Sequence, residues 1–374
     1  MLLKNADLLD KSFRFIKADL LIKDGKIAQI GNLCSCEDEV QIDCTNKYVI
    51  PGLVDIHTHG CGGCDTCDAT KAALDTLSLT QGNAGITSFC ATTMTLPETQ
   101  LEKIFATIRE YMAGHQKKAN IIGINMEGPF FNASKKGAQR GDCLKLPDVQ
   151  MFNRLNDISA NAVKLVDLAP ELDGSLEFIR AVKDKVTVSI GHTAADYDTA
   201  TAAIQNGATH VTHLFNAMNP LTHRAPGVVG AAADSNVTTE LISDSIHIDG
   251  TVIRATFKLM QDRVCLISDS MSATGMPNGE YELGGQKVFV KDKKATLEDG
   301  TIAGSSTNLM DCMKKAVSFG IPLAQAIKSA SFIPAKAIKM ENKIGSLDIN
   351  LDADILILDK SLNLEKVIIK GECK

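Results

Sequence analysis

Residues 49–60 read VIPGLVDIHTHG. An apolar run of Val49, Ile50, Leu53, Val54 and Ile56 ends in two histidines, His57 and His59, with Asp55 just ahead of them. Residues two apart on a β-strand face the same way. A strand here projects both imidazoles together from its C-terminal end, where one cation could bind both. A solitary H-x-H pair is weak evidence of a metal site, so its weight depends on what the ends of other strands supply.

Seven more short apolar runs follow, at 85–93, 119–126, 163–170, 185–191, 209–215, 239–245 and 263–270. Amphipathic segments at 68–83, 98–115, 174–184, 196–207 and 251–262 lie between them and predict helices. Alternating strands and helices imply a parallel sheet with right-handed crossovers. Eight strands in near-regular succession predict an α/β fold closed into a (β/α)8 TIM barrel, filled mainly by Val, Ile and Leu. Residues 276–303 interrupt the alternation with a hairpin-like stretch before a helical region at 307–340.

Both ends of the chain read as β structure. Residues 18–31, ADLLIKDGKIAQIG, hold two β-type runs around Asp24-Gly25, a strong hairpin signal. Residues 353–373 give two more runs around a polar turn. Neither end buries a core alone. The expected organisation is a small β-sandwich domain from residues 1–50 and 340–374, with the barrel at 51–339.

The 374 residues are 44% hydrophobic and 22% charged, with a formal net charge of -6 and no basic run, which argues against nucleic acid and anionic membrane as partners. No apolar stretch approaches the roughly 20 residues of a membrane helix. The N-terminus lacks the long apolar centre of a signal peptide, so a cytoplasmic location is expected. The eleven cysteines are expected to be free thiols. Cys61, Cys64 and Cys67 have a spacing that could open a metal site, but no fourth cysteine follows closely, and loop cysteines are the better reading.

The strand ends supply the partners that His57 and His59 need. Run 3 ends in NMEGPFF with Glu127, run 5 in SIGHT with His192, run 6 contains THLFNAM with His213, and run 8 ends in SDSMSATG with Asp269. Four histidines and two carboxylates at equivalent ends predict a metal centre, because barrel sites are built there. Imidazoles with carboxylates suit Zn²⁺ or Fe²⁺ over Mg²⁺ or Ca²⁺. Six ligands exceed one tetrahedral site, and Glu127 could bridge two cations about 3.5–4 Å apart. One or two divalent ions per chain are therefore expected. Such a centre activates water, and Asp269 could take its proton and pass it to a leaving nitrogen. The implied chemistry is metal-assisted hydrolysis of a C–N bond. His210, three residues from His213, is expected on the outer face of its strand. His115 is expected on the solvated surface, whereas His223 and His247 lie in loops that could reach a ligand.

This pattern resembles the amidohydrolase superfamily, as do the composite β domain and the tail GSLDINLDADILILD. Within it, PGLVDIHTHG, MEGPFF, SIGHT, THLFNAM, DSIHID (244–249), SDSMSATG and IAGSS (302–306) resemble the N-acetylglucosamine-6-phosphate deacetylase family nearly end to end. The resemblance implies release of acetate from a phosphorylated amino sugar, and a homodimer. It implies that Glu127, His192 and His213 hold the principal metal, with His57, His59, the bridging Glu127 and Asp269 as a second site. Some members of that family lack the strand-1 histidines and use one metal. It further implies Asp269 as general base and then acid; Asn216, Ala217 and Arg224 at the phosphate; His247 at the sugar; and Ala138, Ile302, Ala303 and Gly304 lining the pocket. Gln139 stands where the family commonly has histidine; it can hydrogen-bond a hydroxyl but carries no charge.

Three rivals remain at this point. Cyclic amidases of the same superfamily bridge their metals with a carboxylated lysine ending strand 4, whereas here run 4 ends Ala169-Pro170-Glu171 and its only lysine, Lys164, stands at its start. N-acetylgalactosamine 6-phosphate is an alternative substrate. A non-catalytic scaffold is the third, and such proteins usually lose ligands that this chain keeps.

Overall fold

A computed structural model describes residues 1–34, 40–114 and 118–373. His115 lies outside the described residues.

The two ends of the chain meet in one sheet of eight strands. Leu2–Leu9 pairs antiparallel with Phe15–Lys23, which returns through Asp24-Gly25 into Lys26–Gly31. Both turn residues have positive φ, 49° and 73°, the geometry that makes Asp-Gly a two-residue hairpin turn. On its other side Leu2–Leu9 pairs in parallel with Gln41–Asp43 and Tyr48–Pro51. Tyr48–Pro51 then pairs antiparallel with Ile355–Leu358, which carries Leu364–Ile369 and Glu372–Cys373. One face of this sheet has its own core, including Leu3, Leu8, Leu20, Val49, Ile355 and Ile368. Other residues of its strands, among them Leu9, Ile50, Leu356, Leu358 and Val367, join the large core of the barrel.

The opening run 49–56 therefore divides between two sheets. Tyr48–Pro51 belongs to the terminal sheet and Leu53–Thr58 is the first barrel strand. Gly52 makes the transfer possible, because a Cβ there would stand 2.1 Å from Thr87 Oγ1.

Barrel strands 1 to 8 are Leu53–Thr58, Ile86–Thr92, Asn120–Phe130, Val163–Leu168, Thr187–Ile190, His210–Val211, Thr238–Ile242 and Val264–Ile267. Each pairs in parallel with the next. Strands 8 and 1 close the ring just beyond their apolar runs, where the Asp269 N–H donates to His57 O at 2.9 Å and the His59 N–H to Ser270 O at 2.8 Å. The eight expected runs are thus the eight barrel strands, although the sixth is regular for two residues only. The barrel floor is apolar: Ile333 and Ala335 of the helix Phe332–Ala337 cluster with Leu165, Ile242, Cys265 and Ile267. That leaves the C-terminal ends of the strands for chemistry.

The helices Lys71–Asn83, Glu98–Met112, Ser175–Val182, Tyr197–Asn206 and Gly250–Met260 fall where periodicity put them. Two others, Val149–Ile158 and Gly227–Ala233, were not among the expected segments. The second is GVVGAAA, mostly buried, and has no polar face to create a period. The hairpin-like stretch is a three-stranded antiparallel sheet of Gly279–Leu283, Gln286–Lys291 and Lys294–Thr296. Among the described residues no helix is long and apolar enough to cross a membrane.

Candidate active site

The six residues expected as ligands converge at the C-terminal ends of the barrel strands. Glu127 is at the centre. Its Oε1 lies 3.1 Å from His192 Nε2, 3.3 Å from His213 Nε2 and 3.5 Å from His57 Nε2, while its Oε2 lies 3.3 Å from His59 Nε2. Asp269 Oδ1 stands 3.3 Å from His59 Nε2 and 3.6 Å from His57 Nε2. Three of the six, His192, His213 and Asp269, have positive φ of 46°, 25° and 50°. Such backbone costs of order 1–3 kcal/mol per residue and clusters at functional sites; here it marks the turns that immediately follow strands 5, 6 and 8.

Hydrogen-bond partners fix which nitrogens carry protons. His192 Nδ1 is 2.9 Å from the Lys135 carbonyl, so Nδ1 donates and Nε2 keeps a lone pair. His57 Nδ1 donates to Glu240 Oε2 at 2.9 Å, which turns His57 Nε2, a buried atom with no hydrogen-bond partner, toward Glu127 and Asp269. The Nε2 atoms of His192 and His213 stand 3.1 Å apart beside an anionic oxygen. Lone pairs and carboxylate oxygens gathered so closely repel one another unless a cation lies among them. Oriented imidazoles backed by a carbonyl or carboxylate are the usual support of a metal centre. The ligand atoms of Glu127, His192 and His213, and those of His57, His59 and Asp269, lie within 4.8 Å of one another in each group. These groups can hold a metal ion.

Charge follows the same geometry. Burial alone would raise Glu127, but His57, His192 and His213 hold it well below the ordinary carboxylate value. Burial also opposes ionisation of Asp269, yet its bond to His59 and the nearby imidazoles hold it low. Asp269 is therefore an anion at neutral pH, as a base must be. It is also the most exposed of the six, at 8% against 0% for His57.

A cavity of about 460 Å³ opens above this centre. Of the residues expected around a substrate, Ala138, Gln139, Asn216, Ala217, His247, Ile302 and Gly304 line it. Ala303 is fully buried behind its neighbours and does not line it. His247 is held by Asp244, whose Oδ2 lies 2.8 Å from Nδ1. Gln139 differs from expectation: its Nε2 donates to Glu127 Oε2 at 2.7 Å and its Oε1 accepts from the Thr95 N–H at 2.7 Å. The side chain clamps the central carboxylate and is already occupied at both ends. Arg224 is exposed and lines a separate cavity of about 360 Å³ with Asp196 and Tyr197, because its loop runs outward between Pro220 and Pro226. A larger cleft of about 920 Å³, lined by Asp65, Arg140 and Tyr281, contains none of the expected ligands.

His210 corrects a further expectation. It is fully buried inside the barrel, with Nε2 3.2 Å from Glu240 Oε1. Glu240 thereby joins His57 and His210 and also accepts the His213 N–H at 3.0 Å. Neither Glu240 nor Asp167, a buried carboxylate on strand 4, stood out in the sequence; a charged residue inside an apolar strand run was the available signal. Cys61 and Cys64 face each other across a two-residue hairpin, and burial pushes the Cys61 thiol up to about 12. Among the described residues, no group of potential metal ligands includes Cys61, Cys64 or Cys67.

The amidohydrolase family profile matches residues 48–374. The chain is 33% identical over 379 residues to the N-acetylglucosamine-6-phosphate deacetylase of Lysinibacillus sphaericus, covering 100% of this chain and 97% of that protein. The chain belongs to the amidohydrolase family, among the N-acetylglucosamine-6-phosphate deacetylases. The solved Pasteurella multocida deacetylase superimposes with a TM-score of 0.95 at 30% identity, covering 100% of this chain and 99% of that one. An Asp-to-Ala variant of the Mycobacterium smegmatis deacetylase in complex with N-acetyl-D-glucosamine-6-phosphate gives 0.93 at 31%, covering 100% and 98%. An N-acetylgalactosamine-6-phosphate deacetylase of Escherichia coli O157:H7 is 31% identical over 359 residues, 94% of this chain and 93% of that protein.

Proposed function

We propose that this chain hydrolyses the acetamide of N-acetyl-D-glucosamine 6-phosphate to acetate and D-glucosamine 6-phosphate. The observation that carries this reading is the convergence of four imidazoles, Glu127 and Asp269 beneath one sugar-sized cavity. In this reading Glu127, His192 and His213 hold one cation, and His57, His59, the shared Glu127 and Asp269 hold a second. Zinc or iron(II) suits this donor set. A divalent ion bound there lowers the pKa of a water toward neutrality and polarises a carbonyl.

The residues of the chain do the rest. Asp269, ionised and nearest the cavity, removes the proton of the attacking water and then delivers it to the departing amine nitrogen. Gln139 keeps Glu127 in register. His247, with Nδ1 held by Asp244, has Nε2 left for a substrate oxygen. Asn216 and Ala217 border the phosphate end of the cavity, and Arg224 reaches it only if the 219–226 loop shifts inward. Ala138, Ile302 and Gly304 shape the wall, with Ala303 packed behind. Residues 51–339 form the catalytic barrel, and 1–50 with 340–374 form the β domain that braces it. The enzyme works as a cytoplasmic homodimer, a state that sedimentation of the purified chain checks.

The test is acetate release from N-acetylglucosamine 6-phosphate, its unphosphorylated form and N-acetylgalactosamine 6-phosphate by metal-loaded protein. Turnover that requires the phosphate and falls about 10²–10⁴-fold in Asp269→Asn is expected, the usual contribution of a general acid–base group. Metal bound without acetate from any of the three would end the deacetylase reading. The galactosamine epimer is the second reading, favoured by the Escherichia coli relative, and the ratio of kcat/KM values decides between them.

A further inference from the structure

Asp167 is the buried carboxylate beneath the site for which the proposed chemistry has no use. Two other buried carboxylates of the barrel are hydrogen-bonded. Glu240 takes bonds from His57, His210 and the His213 amide, and Asp55 accepts from the Ser268 hydroxyl. Asp167 is fully buried, and neither of its oxygens has a hydrogen-bond partner. The Thr212 hydroxyl is near enough to act on it but makes no hydrogen bond to it, and lies 2.6 Å from the Ser189 hydroxyl. A carboxyl buried without hydrogen-bond donors ionises only where a cation pairs with it, and otherwise keeps its proton.

Position says where that cation belongs. Asp167 stands on barrel strand 4 two residues beyond Leu165, which packs in the barrel interior against Ile242 and Cys265. Alternation carries Asp167 inward too, one layer nearer the strand ends. A carboxylate oxygen of Asp167, a ring nitrogen of His57 and a carboxylate oxygen of Glu127 lie within 4.8 Å of one another. His57 Nε2 is likewise buried without a partner. Asp167 oxygens and a His57 ring nitrogen without hydrogen-bond partners thus share one small volume with Glu127.

We propose that Asp167 is a ligand of the second divalent cation, which it binds together with His57 and Glu127. The proposal rests on the two-cation reading. It also gives strand 4 a metal-binding carboxylate, so that the centre draws on strands 1, 3, 4, 5, 6 and 8. Two divalent ions then face three ligand carboxylates, Glu127, Asp167 and Asp269, rather than two.

The test counts metal. Full-length protein is stripped with chelator, equilibrated with buffered Zn²⁺, and its bound zinc is measured by mass spectrometry for wild type, Asp167→Asn and the smaller Asp167→Thr. Wild type is expected to bind two equivalents and each variant one, with the second-site affinity lowered more than about 100-fold, beyond what supporting residues usually contribute. Two equivalents with unchanged affinity in a folded variant would overturn the assignment of Asp167 while leaving two cations in place. One equivalent in wild type would overturn the two-cation reading and this inference with it. Circular dichroism of the metal-free proteins separates a structural role: variants that lose stability without metal, yet still take up two equivalents when loaded, would also overturn it.

Discussion

At the scale of single residues, the centre depends on side chains that touch no substrate. Glu240 holds the His57 ring through Nδ1 and the backbone of His213 through its amide. Glu240→Gln replaces the carboxylate with an amide and weakens the orientation of one ligand while leaving all six in place. Zinc affinity measured with a competing chromophoric chelator should fall about 10–100-fold; unchanged affinity would mean His57 orients itself. Gln139 makes the same argument from the other side, since it bonds Glu127 where a sugar contact was expected. The six residues expected as ligands were legible because each follows an apolar run, and strand ends on one side of a barrel must face one another. Glu240, Asp167 and His210 were not, because a polar residue inside an apolar strand run does not reveal what the opposite wall of the barrel offers it. His210 sits three residues from His213, and simple alternation put it outside. The chain turns sharply after Val211, with His213 at a φ of 25°, so alternation counted back from His213 fails.

At the scale of elements, the junction between the terminal sheet and the barrel combines close packing with a buried carboxyl. Gly52 admits no side chain against Thr87, and its N–H donates to the Asp354 carbonyl at 2.8 Å. Asp354 is 4% exposed; its Oδ1 accepts the Lys370 N–H at 2.8 Å and its Oδ2 has no partner. Burial pushes its pKa from 3.8 up to about 6, against the opposing Lys370 amide. Between those values the unfolded chain has lost the proton that the folded chain keeps. Folding stability linked to Asp354 is therefore fully present below about pH 4 and declines until about pH 6, by at most about 3 kcal/mol. Urea unfolding of metal-free Asp354→Asn and wild type should show the difference moving in the variant's favour across that window. A difference that is flat with pH would show that Asp354 ionises in the fold as readily as in the unfolded chain. The two-sheet division itself was hard to read, because 49–56 is one continuous apolar run and only Gly52 marks the change of sheet.

At the scale of the whole molecule, the terminal sheet and the barrel that carries the candidate metal ligands share one core. The sheet buries one face in its own core and gives Leu9, Ile50, Leu356, Leu358 and Val367 to the core of the barrel. The ligands hang from six of the eight barrel strands or the turns after them if Asp167 is counted, so a bound ion ties the ring together across its diameter. An ion that binds only the folded chain adds about 4 kcal/mol at a thousandfold excess over its Kd. If barrel and sheet unfold together, this stabilisation must reach residues far from the metal. The chain has no tryptophan, so Phe15→Trp places a single reporter in the terminal sheet, where Phe15 packs on Tyr48 with ring centroids 4.8 Å apart. Unfolding followed by its fluorescence and by far-ultraviolet circular dichroism should give coincident transitions, and zinc should move both to higher urea by the same amount. Fluorescence that changes first, at a midpoint indifferent to zinc, would show that the sheet detaches before the barrel melts; the brace would then be dispensable for holding the metal centre.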